Sequence, residues 1–178
     1  MGFKQRGLTL IELMVTMAVL AIVVAIAIPN FNTMVANNRT LSLGEDMATA
    51  LSFARTEAVK RGARVSLCGS TDGAACDGSF ADSWLVVVDS AASDDAAAVT
   101  VDTVLRQWEA PGTNEAVAAS QGGNAVTFIR FTRKGMLGRS ANGAVTINAS
   151  ASGCVTARDV TVGVAGLLNM AKSTTGCP

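Results

Sequence analysis

Arg6-Gly7-Leu8-Thr9-Leu10-Ile11-Glu12-Leu13 runs directly into an apolar sequence that ends at Ile28. Lys4 and Arg6 precede the glycine, and beyond it Glu12 is the one charged residue before Arg39. A helix from Leu8 to Ile28 would rise roughly 31 Å, the thickness of a bilayer's hydrocarbon core. A transmembrane anchor fits this length and the basic residues in front of it, which would stay cytoplasmic. It does not explain Glu12, because a carboxylate at the bilayer centre costs roughly 2.5–3.5 kcal/mol, so Glu12 calls for a partner. A secretory signal peptide fits the small pair Ala25 and Ala27, which would release a chain starting at Ile28. Against it, the apolar run exceeds the usual core of about 7 to 15 residues.

The chain has 178 residues, and with leader and span set aside the remainder is long enough for one domain with a real core. Lys plus Arg and Asp plus Glu are fourteen each, so net charge proposes no partner. The distribution says more. Between Val65 and Phe128 the one basic residue is Arg106, against Asp72, Asp77, Asp82, Asp89, Asp94, Asp95, Asp102, Glu109 and Glu115. From Ile129 onward Arg130, Arg133, Lys134, Arg139, Arg158 and Lys172 face only Asp159. Histidine and tyrosine are absent from the sequence. That removes the commonest general base and metal ligand, and with no Gly-x-Ser-x-Gly elbow the sequence gives little basis for an enzyme. No cofactor is implied.

Cys68, Cys76, Cys154 and Cys177 form an even set in the part beyond the apolar segment, which points to two disulfides in an oxidising compartment. Of three connectivities, Cys68 with Cys76 and Cys154 with Cys177 closes the shortest loops at least entropic cost. A zinc site is the alternative, but the close C-x-x-C pairs of structural zinc sites are missing.

Pro29 should end or kink the helix. Helical character returns from Phe31 to Arg61, where Leu43, Met47, Ala50, Leu51, Ala54 and Ala58 recur on one face. Glu57 stands four residues before Arg61, and Gly62 suits the position past a helix end. After Gly62 the period becomes two. Strands are predicted around Arg64–Leu67, Trp84–Asp89, Val99–Glu109, Val126–Thr132, Ala144–Asn148 and Asp159–Val164, with loops at Ser90–Ala98 and Thr113–Asn124. One long helix followed by antiparallel strands is an α+β fold.

Gly7, Leu8, Thr9, Leu10, Ile11 and Glu12 resemble the processing site of type IV prepilins and type II secretion pseudopilins. The resemblance implies a prepilin peptidase cut between Gly7 and Leu8, N-methylation of Leu8, and Glu12 as fifth residue of the mature chain. The family usually has Phe or Met first; here it is leucine. A neighbour's Glu12 would neutralise the new ammonium of Leu8 in apolar surroundings and set the axial offset between subunits. Ser66-Leu67-Cys68, Trp84-Leu85-Val86-Val87-Val88-Asp89, Val104-Leu105-Arg106 and Phe131-Thr132-Arg133-Lys134-Gly135 are similar to successive landmarks of the FimT/FimU/GspH family. The chain then divides into a leader 1–7, a transmembrane or assembly helix 8–28, its amphipathic continuation 29–62 and a β-rich pilin domain 63–178. Such a protein waits in the bacterial inner membrane with a periplasmic domain, then enters a pilus or pseudopilus fibre.

The resemblance implies, as partners, other major and minor pilins, the peptidase, an inner-membrane assembly platform and, before assembly, membrane lipid. It implies a minor pilin that helps start assembly at or near the tip, or a minor pseudopilin of type II secretion. Some FimT-like members bind DNA through a Gly-Arg-x-Arg pattern near the carboxy end. Here the corresponding stretch is Gly166-Leu167-Leu168-Asn169, without either arginine. Arg130, Arg133, Lys134, Arg139, Arg158 and Lys172 remain as candidates for phosphate contact. The plain alternative for them is a solvated face, or one that meets another subunit's acidic region.

Overall fold

The structure, a computed structural model, describes residues 9–173 and residue 177. Among the described residues one helix, α1 (Leu10–Arg61), precedes strands β1 (Val65–Ser70), β2 (Ser83–Asp89), β3 (Val101–Trp108), β4 (Glu115–Gln121), β5 (Asn124–Ala125), β6 (Phe128–Phe131), β7 (Val145–Ala151), β8 (Arg158–Val162) and β9 (Leu168–Lys172). The fold is α+β, a long N-terminal helix packed on antiparallel sheets.

α1 begins at Thr9, whose extended backbone (φ −82°, ψ 153°) and side chain cap the first turn by accepting the Glu12 N–H. It ends at Gly62, where the left-handed conformation (φ 58°) lets the Gly62 N–H reach the Ala58 and Val59 carbonyls. Glu57 accepts from Arg61 Nε at 2.6 Å and Lys60 Nζ at 3.2 Å just before that end. The helix does not end at Pro29, which lies inside it. One missing donor leaves the turns on either side intact, and Asn30 Nδ2 donates to the Ile26 carbonyl at 3.1 Å in the turn that proline interrupts.

Residues 9–32 are exposed without exception. From Ala36 onward the helix buries one stripe, including Thr40, Leu43, Met47, Ala50, Leu51, Ala54 and Ala58, at three- and four-residue spacing. The stripe lies on strands of both sheets, which run β3-β2-β1-β6 and β5-β4-β7-β8-β9 with every neighbour antiparallel. Met47 and Leu51 are wholly buried against Leu67, Ile129, Phe131, Ile147 and Val160 in one core. Each such side chain contributes about 1.5–3 kcal/mol relative to exposure. Gly44 lets the helix pass close to β8 and β9, since a Cβ there would meet Arg158 Cβ and Met170 Sδ at 3.3 Å.

Two expectations are corrected. Residues 113–124 are not one loop, because β4 pairs along its whole length with β7, burying Val117, Ala119 and Gln121. The segment is too rich in alanine to look like a strand, and pairing overrides that weak propensity. β9 was also unanticipated; it closes the second sheet against β8 from Val162↔Leu168 to Arg158↔Lys172. Cys68 is bonded to Cys76 across the loop after β1, and Cys154 to Cys177, with Cα separations of 5.5 and 5.8 Å. The second bond encloses β8 and β9. Its loop is docked on the helix, where Asn37 Oδ1 accepts the Val155 N–H at 3.0 Å and the Thr156 N–H at 3.4 Å.

Candidate functional site

The exposed half of α1 is one candidate site. Gly7 and Leu8 lie outside the described residues. Glu12 sits in the first helical turn with its N–H on Thr9 Oγ1 at 3.3 Å. Among the described residues its carboxylate has no salt-bridge partner. From there to Phe31 the surface is almost wholly apolar, with Leu13, Met17, Leu20, Val24, Ile28 and Phe31 all open. The helix is long and apolar enough to cross a membrane.

The six basic residues proposed for phosphate contact do not form one surface. Arg130 is the clear correction: it is 1 % exposed, and its Nε donates to Asp89 Oδ2 at 2.6 Å. Its remaining nitrogens donate to the carbonyls of Asp94, Ala96 and Ala98, which holds the residue 90–98 loop over the sheet. Asp89 also accepts from Ser66 Oγ at 2.7 Å and from the N–H groups of Ala91 and Thr100. Burial alone would raise the Asp89 carboxyl, but hydrogen bonds from Ser66, Thr100, Arg130 and Ala91 outweigh it and hold the group below the ordinary carboxylate range.

Arg133, Lys134 and Arg139 line an open groove of about 580 Å³ together with Arg64, Asp94 and Asp95. Arg64 Nη1 pairs with Asp94 at 3.2 Å, and its Nη2 donates to the Ala91 carbonyl. Arg139 adopts φ 52°, a left-handed conformation unusual for arginine, with its carbonyl accepting from Gln121 Nε2 at 3.1 Å and its guanidinium 5.6 Å from the Phe128 ring centre. Arg158 and Lys172 are elsewhere, as cross-strand partners on β8 and β9. The groove is thus of mixed charge. Arg64 belongs to it but was missed, because in the predicted strand Arg64–Leu67 it reads as a polar member of ordinary alternation.

Much of the acidic surplus is also spent locally. Asp72 accepts the Ala74 and Ala75 N–H groups at 2.8 and 3.1 Å, and these bonds hold its carboxyl low. Asp77 accepts from Thr71 and Asp82 from Ser79 in the same connection.

An exposed membrane-length half-helix continuing into a half that is packed on antiparallel sheets, with a carboxylate in the first turn, defines a pilin-type subunit. The chain belongs to the family described as type II transport protein GspH, whose model matches residues 43–166, and residues 2–28 match the prokaryotic N-terminal methylation motif. It is therefore a minor pilin or pseudopilin of the type IV pilus or type II secretion kind, a class of structural subunits that assemble with other pilins and are processed by prepilin peptidase.

Its fold is similar to that of the type IV minor pilin FimU of Pseudomonas aeruginosa, with a TM-score of 0.59 at 18% identity over 78% of this chain and 92% of that one. A second crystal form of FimU gives 0.56 at 20% identity over 76% and 95%. The minor pseudopilin EpsH of the Vibrio cholerae type 2 secretion system gives 0.48 at 13% identity over 74% and 95%. No curated protein sequence matches the chain.

Proposed function

We propose that this chain is a minor pilin of a type IV pilus that helps initiate fibre assembly and sits at or near the tip. The observation that carries the reading is the uninterrupted exposure of residues 9–32 on a helix whose other half is locked into the domain. Such an apolar rod is covered by lipid before assembly and by other pilin helices afterwards. In this reading residues 63–178 face the periplasm while the chain is stored in the inner membrane, and the assembly platform extracts it. Cleavage between Gly7 and Leu8 frees an ammonium that pairs with Glu12 of a neighbour.

Mass spectrometry of the mature chain tests the processing step. N-methylated Leu8 is expected, and a chain that starts at Ile28 or retains Met1 would defeat it. Cells lacking the chain should make few fibres, and the tagged chain should label fibre ends; labelling along the shaft would defeat the tip assignment.

A second reading, a minor pseudopilin of type II secretion, is supported by the description of the matching family. Loss of protein secretion with fibres intact would favour it. The DNA-binding alternative now rests on Arg133, Lys134 and Arg139, beside two carboxylates. A salt-sensitive gel shift by the full chain, lost on changing those three residues, would support it.

A further inference from the structure

Val59, Met136, Val164 and Leu167 stand on three separate segments that come together near the end of α1. Gly135 and Gly166 bring them together. Both have left-handed backbones (φ 71° and 75°), and a Cβ on Gly166 would overlap the Gly135 carbonyl oxygen. One on Gly135 would lie 2.7 Å from Val59 Cγ2. The arrangement is fastened by Leu137 N–H donating to the Val164 carbonyl and Arg55 Nε to the Gly135 carbonyl, both at 3.0 Å.

What this rigid junction presents outward is apolar. Leu167 is 65%, Val59 55%, Met136 42% and Val164 40% exposed. The hairpin Gly163-Val164-Ala165-Gly166-Leu167-Leu168 contains no polar side chain, although surface turns favour Asn, Asp and Ser. Around it stand Arg55, at the Gly135 carbonyl, and the exposed Arg133 and Lys134, which line a groove with Met136; the same groove holds Asp94, paired with Arg64, and Asp95.

Three occupants can be compared. Lipid is excluded by distance, because Val59 lies roughly 46 Å along the helix from Ile28, where the membrane-length segment ends. A second copy applied patch to patch would oppose like charges at Arg133 and Lys134. The third is the domain of a neighbouring pilin-type subunit, the class of partner with which this family assembles.

We propose that this end is a docking surface for the globular domain of a neighbouring pilin-type subunit, whose facing patch is apolar at its centre and carries carboxylates at its rim. The proposal rests on the fibre reading above. The apolar centre supplies the desolvated contact and the three cations select an acidic edge.

The test places a photo-crosslinking amino acid at Leu167 of the full-length chain in fibre-forming cells, with Asp102 on exposed β3 as control position. Incorporation is read first, as presence of the chain in sheared fibres. The expected product joins Leu167 to the globular domain of a pilin-type subunit at an acidic-rimmed apolar segment, with no equivalent product from Asp102. A double change Arg133→Glu with Lys134→Glu should lower its yield about tenfold without changing the chain's level in the membrane. Absence of the chain from fibres overturns the fibre reading and this proposal together. Incorporation without the Leu167 product, or a product with lipid, with a non-pilin protein or between two Leu167 positions, overturns the docking surface alone.

Discussion

Arg130 Nε and Asp89 Oδ2 lie 2.6 Å apart with both side chains fully buried, so an ion pair joins β6 to β2 across the intervening β1. Ser66 of β1 stands opposite Arg130 in the register and donates to the same carboxylate. Two charges in such a place tolerate burial only because their polar atoms are satisfied. Arg130→Met should therefore cost about 3–5 kcal/mol, since it strands the Asp89 charge. Combining it with Asp89→Asn, which removes the stranded charge and keeps an oxygen for Ser66 and the Ala91 and Thr100 N–H groups, should restore part of the loss. Thermal unfolding of the full chain in detergent reads both; a double variant no better than Arg130→Met would mean that shape, not charge, holds the site.

The same carboxylate makes stability depend on acid. Asp89 is held below its ordinary value in the folded state, so the unfolded chain takes up its proton first as pH falls. The contribution is complete above the unfolded value of about 3.9 and is lost as pH drops through the folded value. Glu57, lowered by hydrogen bonds from Arg61 and then Lys60, and Asp72, lowered by the Ala74 and Ala75 N–H groups, act with the same sign. Denaturant midpoints should be level from pH 7 to 5 and decline below about pH 4. In Asp89→Asn the decline should be shallower, from a lower plateau. An acid dependence equal to that of the parent would show that Asp89 does not contribute.

These buried charges mark the limit of what the sequence discloses. Leu43 to Ala58 was legible because its apolar residues repeat with the helical period, and Trp84–Asp89 because an unbroken short apolar run marks a strand buried on both faces. Gly62 likewise announced the helix end. In Phe128-Ile129-Arg130-Phe131 all four residues are buried, so alternation gives no warning, and the partner of Arg130 is 41 residues distant. β4 was hidden by its alanines, and β9 by a turn with no polar residue ahead of it. For the assembly end, the motif around Glu12 was plain, whereas the apolar patch at the other end depends on two glycine turns meeting, which no local pattern records.

The Cys154–Cys177 bond should matter most to the second sheet. It closes a separation of 23 residues around β8 and β9, and removing a loop of that order costs about 3 kcal/mol in the chain-entropy account. Changing both cysteines to serine should lower the unfolding midpoint and expose the segment from Leu168 to Lys172 to protease before the rest of the domain. Cys68 and Cys76, across a separation of 8, should cost less when changed alike. The reverse order of effects would argue that the Cys68 bond, packed beside Leu85, Val87 and Phe128, acts through the core and not through the loop.

Glu12 offers the sharpest separation between folding and assembly. It lies in the first turn of α1, more than twenty residues before the first buried position at Ala36, so its loss cannot reach the core. Within the chain it contributes only a negative charge near a helix start, about 0.3–1 kcal/mol locally. In the bilayer that same charge is a cost, and Glu12→Ala should therefore insert at least as well as the parent. If its role is to meet the ammonium of a neighbour's Leu8, both Glu12→Ala and Glu12→Gln should reach the membrane at normal levels and be depleted from sheared fibres. Gln keeps the size and polarity but not the charge, so normal incorporation of Glu12→Gln alone would assign the role to hydrogen bonding. Normal incorporation of both variants would return Glu12 to a carboxylate that reaches the membrane interface and does nothing for assembly.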